Sequence, residues 1–282
     1  MTSLALAPHP APGHSARRHW SLDDIPWDTL DRERVAGNEA LLYMLGAASL
    51  MESATDLYTE NLIEYFSADN EIASWLEHYW LPEELQHGKA LRRYVETAWP
   101  EFPWDAVRRG FVEEFQPFCN EALERRRSLE MASRCVVETG TASFYTALSR
   151  ASPEPVLARV TGQIARDEVR HYKHFYRFFR KYRAVERPAR REIGPALWRR
   201  LKMTGGEDRL IVLKHVHAAH RPGTAFDMAL YRKVRRRCRR MLRPHFPVEM
   251  TVRMLLKPLA LGPRTQRLTL PLLAALARRV VP

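Results

Sequence analysis

Two Glu-x-x-His tetrads, Glu84-Leu85-Gln86-His87 and Glu168-Val169-Arg170-His171, stand 84 residues apart in this chain. Residues three apart share one face of a helix, so each tetrad aims a carboxylate and an imidazole in the same direction. A single Glu-x-x-His is ordinarily a surface ion pair. Two of them, each following a helix that buries one more glutamate, describe a dinuclear iron or manganese centre inside a four-helix bundle.

The upstream glutamates fall at matching intervals. Glu52 precedes Glu84 by 32 residues and Glu138 precedes Glu168 by 30, whereas 54 residues separate Glu84 from Glu138. At about 1.5 Å of rise per residue, each short interval holds one helix leg, a turn and a return leg. The expected topology is helix pair, long crossover, helix pair, with helices near 34–66, 70–97, 120–150 and 154–182. Pro100, Pro103 and Pro117 punctuate the crossover, leaving room for one short helix, and Ser152-Pro153 separates the last two legs. Pro82 lies inside the first tetrad's helix, where its missing N–H predicts a kink.

Surroundings select the ligands. From Ala40 to Met51 every residue except Gly46 and Ser49 is apolar, so the carboxylate of Glu52 is costly unless it is paired or bound to metal. Asp56, Glu60 and Glu64 follow as a solvated stripe, and Glu60 is the rival ligand. Glu138 sits among small residues in Cys135-Val136-Val137-Glu138-Thr139-Gly140-Thr141-Ala142. Its rival Glu130 lies among charged residues and is expected to be exposed. His174 reads as a supporting or surface residue. His215, His217 and His220 have metal-like spacing without a carboxylate cluster, which predicts satisfied or solvent-facing roles. Asp167 and Glu83, each one residue before a tetrad, are placed to hold the outer nitrogen of a ligating histidine across the bundle. Four carboxylates and two imidazoles neutralise two divalent ions and leave coordination positions open. Mixed oxygen and nitrogen donors suit iron or manganese rather than a thiolate-rich zinc site.

Charge divides the chain. Residues 181–282 hold 25 Lys and Arg against 6 Asp and Glu, a net of +19, while residues 1–180 carry −7. The expected organisation is a disordered arm over 1–18, an all-α four-helix domain over 19–184 and a basic, mostly helical extension over 185–282. Residues 19–27, with Trp20 and Trp27 around Pro26, read as a hydrophobic strap across the bundle. In the extension, prolines chop the chain into short helices, Tyr231–Arg243 is densely cationic, and Leu268–Val281 is apolar with two arginines. Such a tail suits an anionic partner, whether an acidic carrier protein, an acidic ferredoxin, a membrane surface or RNA, unless its helices simply pack on the bundle. Cys119, Cys135 and Cys238 form no C-x-x-C pair, which suits a reducing compartment. The most apolar helix, Ala40–Met51, is too short to span a bilayer, so a cytoplasmic location is expected.

Trp80-x-x-Glu83-Glu84-x-x-His87-Gly88, Ala165-x-Asp167-Glu168-x-Arg170-His171 and Glu138-x-x-Thr141 together resemble the ferritin-like diiron-carboxylate superfamily, and within it most nearly the soluble acyl-carrier-protein desaturases. The resemblance covers roughly residues 35–182 and has no counterpart for the basic extension. It implies two irons, or manganese, held by Glu52, Glu84, His87, Glu138, Glu168 and His171. It further implies an oxygen-handling role for Thr141 and an electron-path role for Trp80 and Asp167. The activity expected is an O2-dependent oxidoreductase that desaturates or oxygenates an organic substrate such as an acyl chain. Lacking a rubredoxin-like module, it would draw electrons from a separate ferredoxin or reductase, and would act alone or as a homodimer. Alternatives are a tRNA-modifying diiron monooxygenase, ferritin- or rubrerythrin-type iron or peroxide handling, and a site that holds metal only for stability.

Overall fold

A computed structural model describes residues 19–119, 123–203 and 206–280. The arm expected at 1–18 lies outside these residues, as does the expected start of the third leg at Asn120. Among the described residues every regular element is helical and none is a strand. Three 3-10 turns over 22–34 lead into α1 (Glu39–Glu52), whose first turn is capped by Asn38 accepting from the Leu41 N–H. The first leg is not continuous: the chain turns at 53–55 and restarts as α2 (Asp56–Tyr65). Gly88 of the second leg sits against this turn. An added Cβ at Gly88 would lie 2.6 Å from Ser53 Oγ and 2.8 Å from the Ser53 backbone N, so only glycine lets the second leg touch the end of α1.

α3 (Asn70–Trp75) passes through a π-helical turn, Leu76–Trp80, into α4 (Leu81–Ala98). The missing hydrogen bond at Pro82 is absorbed by widening the helix rather than by ending it. The Leu81 N–H reaches back five residues to the Leu76 carbonyl, and π-turns of this kind recur at functional sites. The crossover contains one helix, α5 (Trp104–Phe115), whose Trp104 Nε1 donates to Ser49 Oγ at 2.9 Å. α6 begins only at Arg127 and runs to Ala151. After Ser152-Pro153, Glu154 caps α7 (Pro155–Glu186) by accepting from the N–H groups of Val156 and Leu157. Tyr94 holds that capping carboxylate from α4 at 3.0 Å.

α6 lies along α7, α1 lies along α4, and α4 meets α7. Beyond α7 come α8 (Arg190–Met203), α9 (Glu207–His220), α10 (Met228–Leu242), α11 (Val248–Leu256) and α12 (Pro263–Val280). Most of these are part of the same packing. α8 and α11 lie on α6, and α9 and α10 lie on α1. One apolar core joins Leu45 and Leu91 to Val216 and Val234; a second joins Trp75, Phe175 and Phe179 to Ile193 and Met254. Gly46, one of two breaks in the apolar run of α1, is where Val216 seats, 3.2 Å from an added Cβ. No helix among the described residues is long and apolar enough to cross a membrane.

Glu130 corrects one expectation. It is fully buried, because Arg134 donates to it at 2.7 Å and the Glu124 N–H at 3.0 Å. Burial raises its pKa, yet Arg134, Arg200 and that N–H hold it below the usual carboxylate value. Glu60, the other rival ligand, is exposed.

Gly88→Ala forces backbone against backbone at the α1–α4 contact. It is expected to cost about 1–3 kcal/mol, read as a lowered thermal midpoint. A midpoint equal to wild type would show that the contact yields freely.

Candidate metal centre

All six expected ligands converge, one or two from each of α1, α4, α6 and α7. Glu52, Glu84, His87 and Glu168 form one group and Glu84, Glu138, Glu168 and His171 a second. Within each group one donor atom per residue lies within 4.8 Å of all the others, and every member is buried. Glu84 and Glu168 belong to both groups. The arrangement is therefore two adjacent sites sharing two carboxylates, with Glu52 and His87 at one end and Glu138 and His171 at the other.

The donors fit metal better than they fit each other. His87 Nδ1 and His171 Nδ1 are buried with no hydrogen-bond partner, as are Glu138 Oε2 and Glu168 Oε1. His171 Nδ1 lies 2.9 Å from Glu84 Oε1, and His87 Nδ1 lies 3.3 Å from Glu168 Oε1. Neither approach meets hydrogen-bond geometry. Leaving that many polar atoms unmatched in a packed interior is costly, and two divalent cations would satisfy all of them.

The outer nitrogens are tied down. His87 Nε2 meets Asp167 Oδ2 at 3.1 Å, and His171 Nε2 meets Glu83 Oε2 at 2.7 Å. Each histidine is thus held by the carboxylate beside the opposite tetrad, an arrangement that leaves Nδ1 for metal. Arg170 braces both, 2.7 Å from Asp167 Oδ1 and 3.1 Å from Glu83. The lead-in strap closes the pattern. Trp20 Nε1 donates to Asp167 Oδ2 at 2.6 Å, and His19 Nδ1 lies 2.8 Å from Glu83 Oε1. Trp20 also stacks near-parallel on His87, centroids 6.3 Å apart. Asp167 thus pairs with Trp20, whereas Trp80 lies edge-on to His171 at 6.4 Å with its buried Nε1 unpartnered.

Thr141 Oγ1 donates to the shared Glu168 at 2.6 Å. Tyr145, fully buried, donates to Glu52 through a short hydrogen bond. The sequence reading did not single out Tyr145, although its position four residues after Thr141 and seven after Glu138 puts it on the same face of α6. The sequence around Trp20 predicts only packing, and nothing local to it signals a partner 147 residues away. His174 stacks on Trp75 outside the cluster. His215 meets Glu114, His217 joins Tyr43 and Thr224, and His220 lies 3.4 Å from Glu39, so none of the tail histidines reaches the centre.

Charge in the metal-free centre is finely set. Burial pulls His87 down, but Asp167 and Glu168 outweigh it and take the imidazole up to about 10. His171, buried but facing Glu83 and Glu138, rises to about 9. Burial and mutual repulsion push Glu52, Glu84 and Glu138 upward. Glu168 goes the other way, because the two imidazoles outweigh its burial. The chain matches no protein-family model, and no curated protein and no solved structure matches it either.

At pH 7 both imidazoles of the metal-free protein carry protons that a metal must displace. Loading divalent iron is therefore expected to release at least the two imidazole protons, measurable by titration calorimetry in buffers of different ionisation enthalpy. Folded-state values raised above the unfolded 6.5 stabilise fully below pH 6.5, and that contribution is lost as pH rises through about 9 to 10. The raised glutamates act with the same sign. The thermal midpoint of metal-free protein should accordingly fall between pH 6.5 and 10, and a flat profile would contradict these charge states.

Proposed function

We propose that the chain is a diiron-carboxylate oxidoreductase on a ferritin-like four-helix bundle formed by α1, α4, α6 and α7, nearest in kind to the soluble acyl-carrier-protein desaturases. The observation that carries this reading is the pair of four-residue ligand groups sharing Glu84 and Glu168, with both histidine Nδ1 atoms buried and unpartnered. Closed thiolate shells hold structural zinc, whereas this carboxylate-rich set suits redox-active iron or manganese.

When bound, two irons would supply the electrons that activate O2 for desaturation or oxygenation of an organic substrate. The protein's own contribution follows from the contacts. Asp167 and Glu83 fix the imidazoles so that Nδ1 faces inward. Thr141 keeps a hydroxyl proton on the shared Glu168, at the edge of the centre expected to handle oxygen. Tyr145 steadies Glu52. Trp20, Asp167 and His87 form a hydrogen-bonded line from the strap to one metal position, and we assign electron entry to it in place of Trp80. The chain has no C-x-x-C pair, so the electron donor is a separate ferredoxin or reductase.

Protein loaded with ferrous iron without oxygen is expected to hold two irons per chain by metal analysis, and at most one after His87→Ala or His171→Ala. One iron or none in the wild type would end the reading. A cage-sized assembly taking up many irons per chain, seen by light scattering, would favour storage instead. Trp20→Phe should keep both irons but slow reduction of the oxidised centre by an external donor about tenfold or more, since it keeps a ring and removes the N–H to Asp167. Unchanged reduction kinetics would remove Trp20 from the electron path.

A further inference from the structure

The last helix is amphipathic on both sides. Its inner face, Leu270, Ala274 and Ala277, packs on Val248 and Val252 of α11. Its outer face shows Leu268 at 71 %, Leu272 at 71 % and Leu276 at 55 % exposure, with Leu273 beside them. These three leucines recur every four residues and so form one stripe along the helix. Scattered exposed leucines need no explanation, but a contiguous stripe marks a surface that meets something apolar.

Arginines bracket the stripe. Arg264 lies one turn before Leu268, Arg267 adjoins it, and Arg278 and Arg279 follow Leu276. The helix contains no acidic residue. Arg278 pairs with Glu249 of α11, and Arg243, at the end of the cationic α10, donates to the Arg278 carbonyl at 3.2 Å. The cationic end of α10 therefore adjoins the basic end of the leucine stripe.

We infer that α12 is a membrane-surface helix that lays its Leu268–Leu272–Leu276 stripe into an anionic lipid bilayer, with arginines at both ends and on α10 meeting the phosphate headgroups. Apolar insertion flanked by cations is the recognition mode of interfacial helices, and juxtaposed basic residues add attraction to acidic lipid. A second copy of the chain fits less well. Two such helices laid face to face would bring arginine against arginine at their ends in either direction, with no carboxylate on the helix to offset them. Nucleic acid would use the arginines but leave the leucines in water. The inference does not depend on the metal reading, since nothing in it involves the ligands.

The test uses the full chain and flotation with vesicles of phosphatidylcholine alone or mixed with phosphatidylglycerol. Binding is expected to the mixed vesicles only and to weaken with salt. The triple variant Leu268→Ser, Leu272→Ser, Leu276→Ser should bind about a hundredfold more weakly. Arg264→Gln with Arg267→Gln and Arg279→Gln should bind more weakly with a shallower salt dependence. All substituted side chains are exposed, and an unchanged thermal midpoint verifies that the variants fold. Equal flotation of wild type and the leucine variant overturns the inference. So does a dimer by light scattering that the leucine variant abolishes, or retention of single-stranded RNA in place of vesicles.

Discussion

Four carboxylates and two imidazoles are buried together where α1, α4, α6 and α7 meet, and the packing around them follows from making that burial tolerable. A single ionised group in an apolar interior is unfavourable by several kcal/mol (order of magnitude) without a partner. Here all six groups sit on helices, and His87 Nδ1, His171 Nδ1, Glu138 Oε2 and Glu168 Oε1 remain unmatched. Packed helices supply what a loop could not, because helices from distant parts of the chain place their carboxylates at fixed offsets without exposing backbone polar groups to the interior. The turn after Glu52 and the close approach at Gly88 belong to the same requirement. They bring the last residue of α1 against the tetrad of α4.

Around this centre lies a shell of groups that differ in accessibility. Asp167, Glu83 and Arg170 form a charged girdle, and two consecutive residues of the strap, His19 and Trp20, each contact one of the girdle carboxylates. The strap thereby does more than cover apolar surface. It links each of the two histidines, through one carboxylate, to a strap residue: His87 to the buried Trp20 and His171 to the exposed His19. In the proposed chemistry this gives one end of the centre an aromatic neighbour suited to electrons and the other an exposed imidazole. The π-turn before α4 belongs to the same construction, because it lets a proline stand two residues before Glu84 while the helix continues.

The basic extension is two things at once. Ile193, Val216, Val234 and Met254 are core residues, so α8–α11 are held to the helices that carry the ligands. Many of the extension's arginines face outward, and several neutralise acidic residues of the preceding region, as Arg221 and Arg237 do with Glu39. α12 turns a leucine stripe to solvent. Charge asymmetry along the sequence thus reflects which surface is cationic rather than where packing stops.

The sequence by itself singled out the six residues that the fold brings together, because helical periodicity makes Glu-x-x-His a one-face motif and because the 32- and 30-residue intervals repeat. It also gave the all-helical class and the histidine-holding roles of Glu83 and Asp167, which follow from adjacency to the tetrads. It did not yield the break after Glu52 or the backbone contact that Gly88 makes there. Nor did it yield the partnership of Trp20 with Asp167, a contact between residues far apart in the chain, because local pattern carries no information about which distant group arrives. The burial of Glu130 was missed for a different reason: its partners, Arg134 and the Glu124 N–H, are close in sequence, but their charges read as a solvated face until the fold covers them. Tertiary structure decided which of two tryptophans hydrogen-bonds to the centre's carboxylates, and which face of the last helix was left exposed, because both depend on which distant segment packs against them.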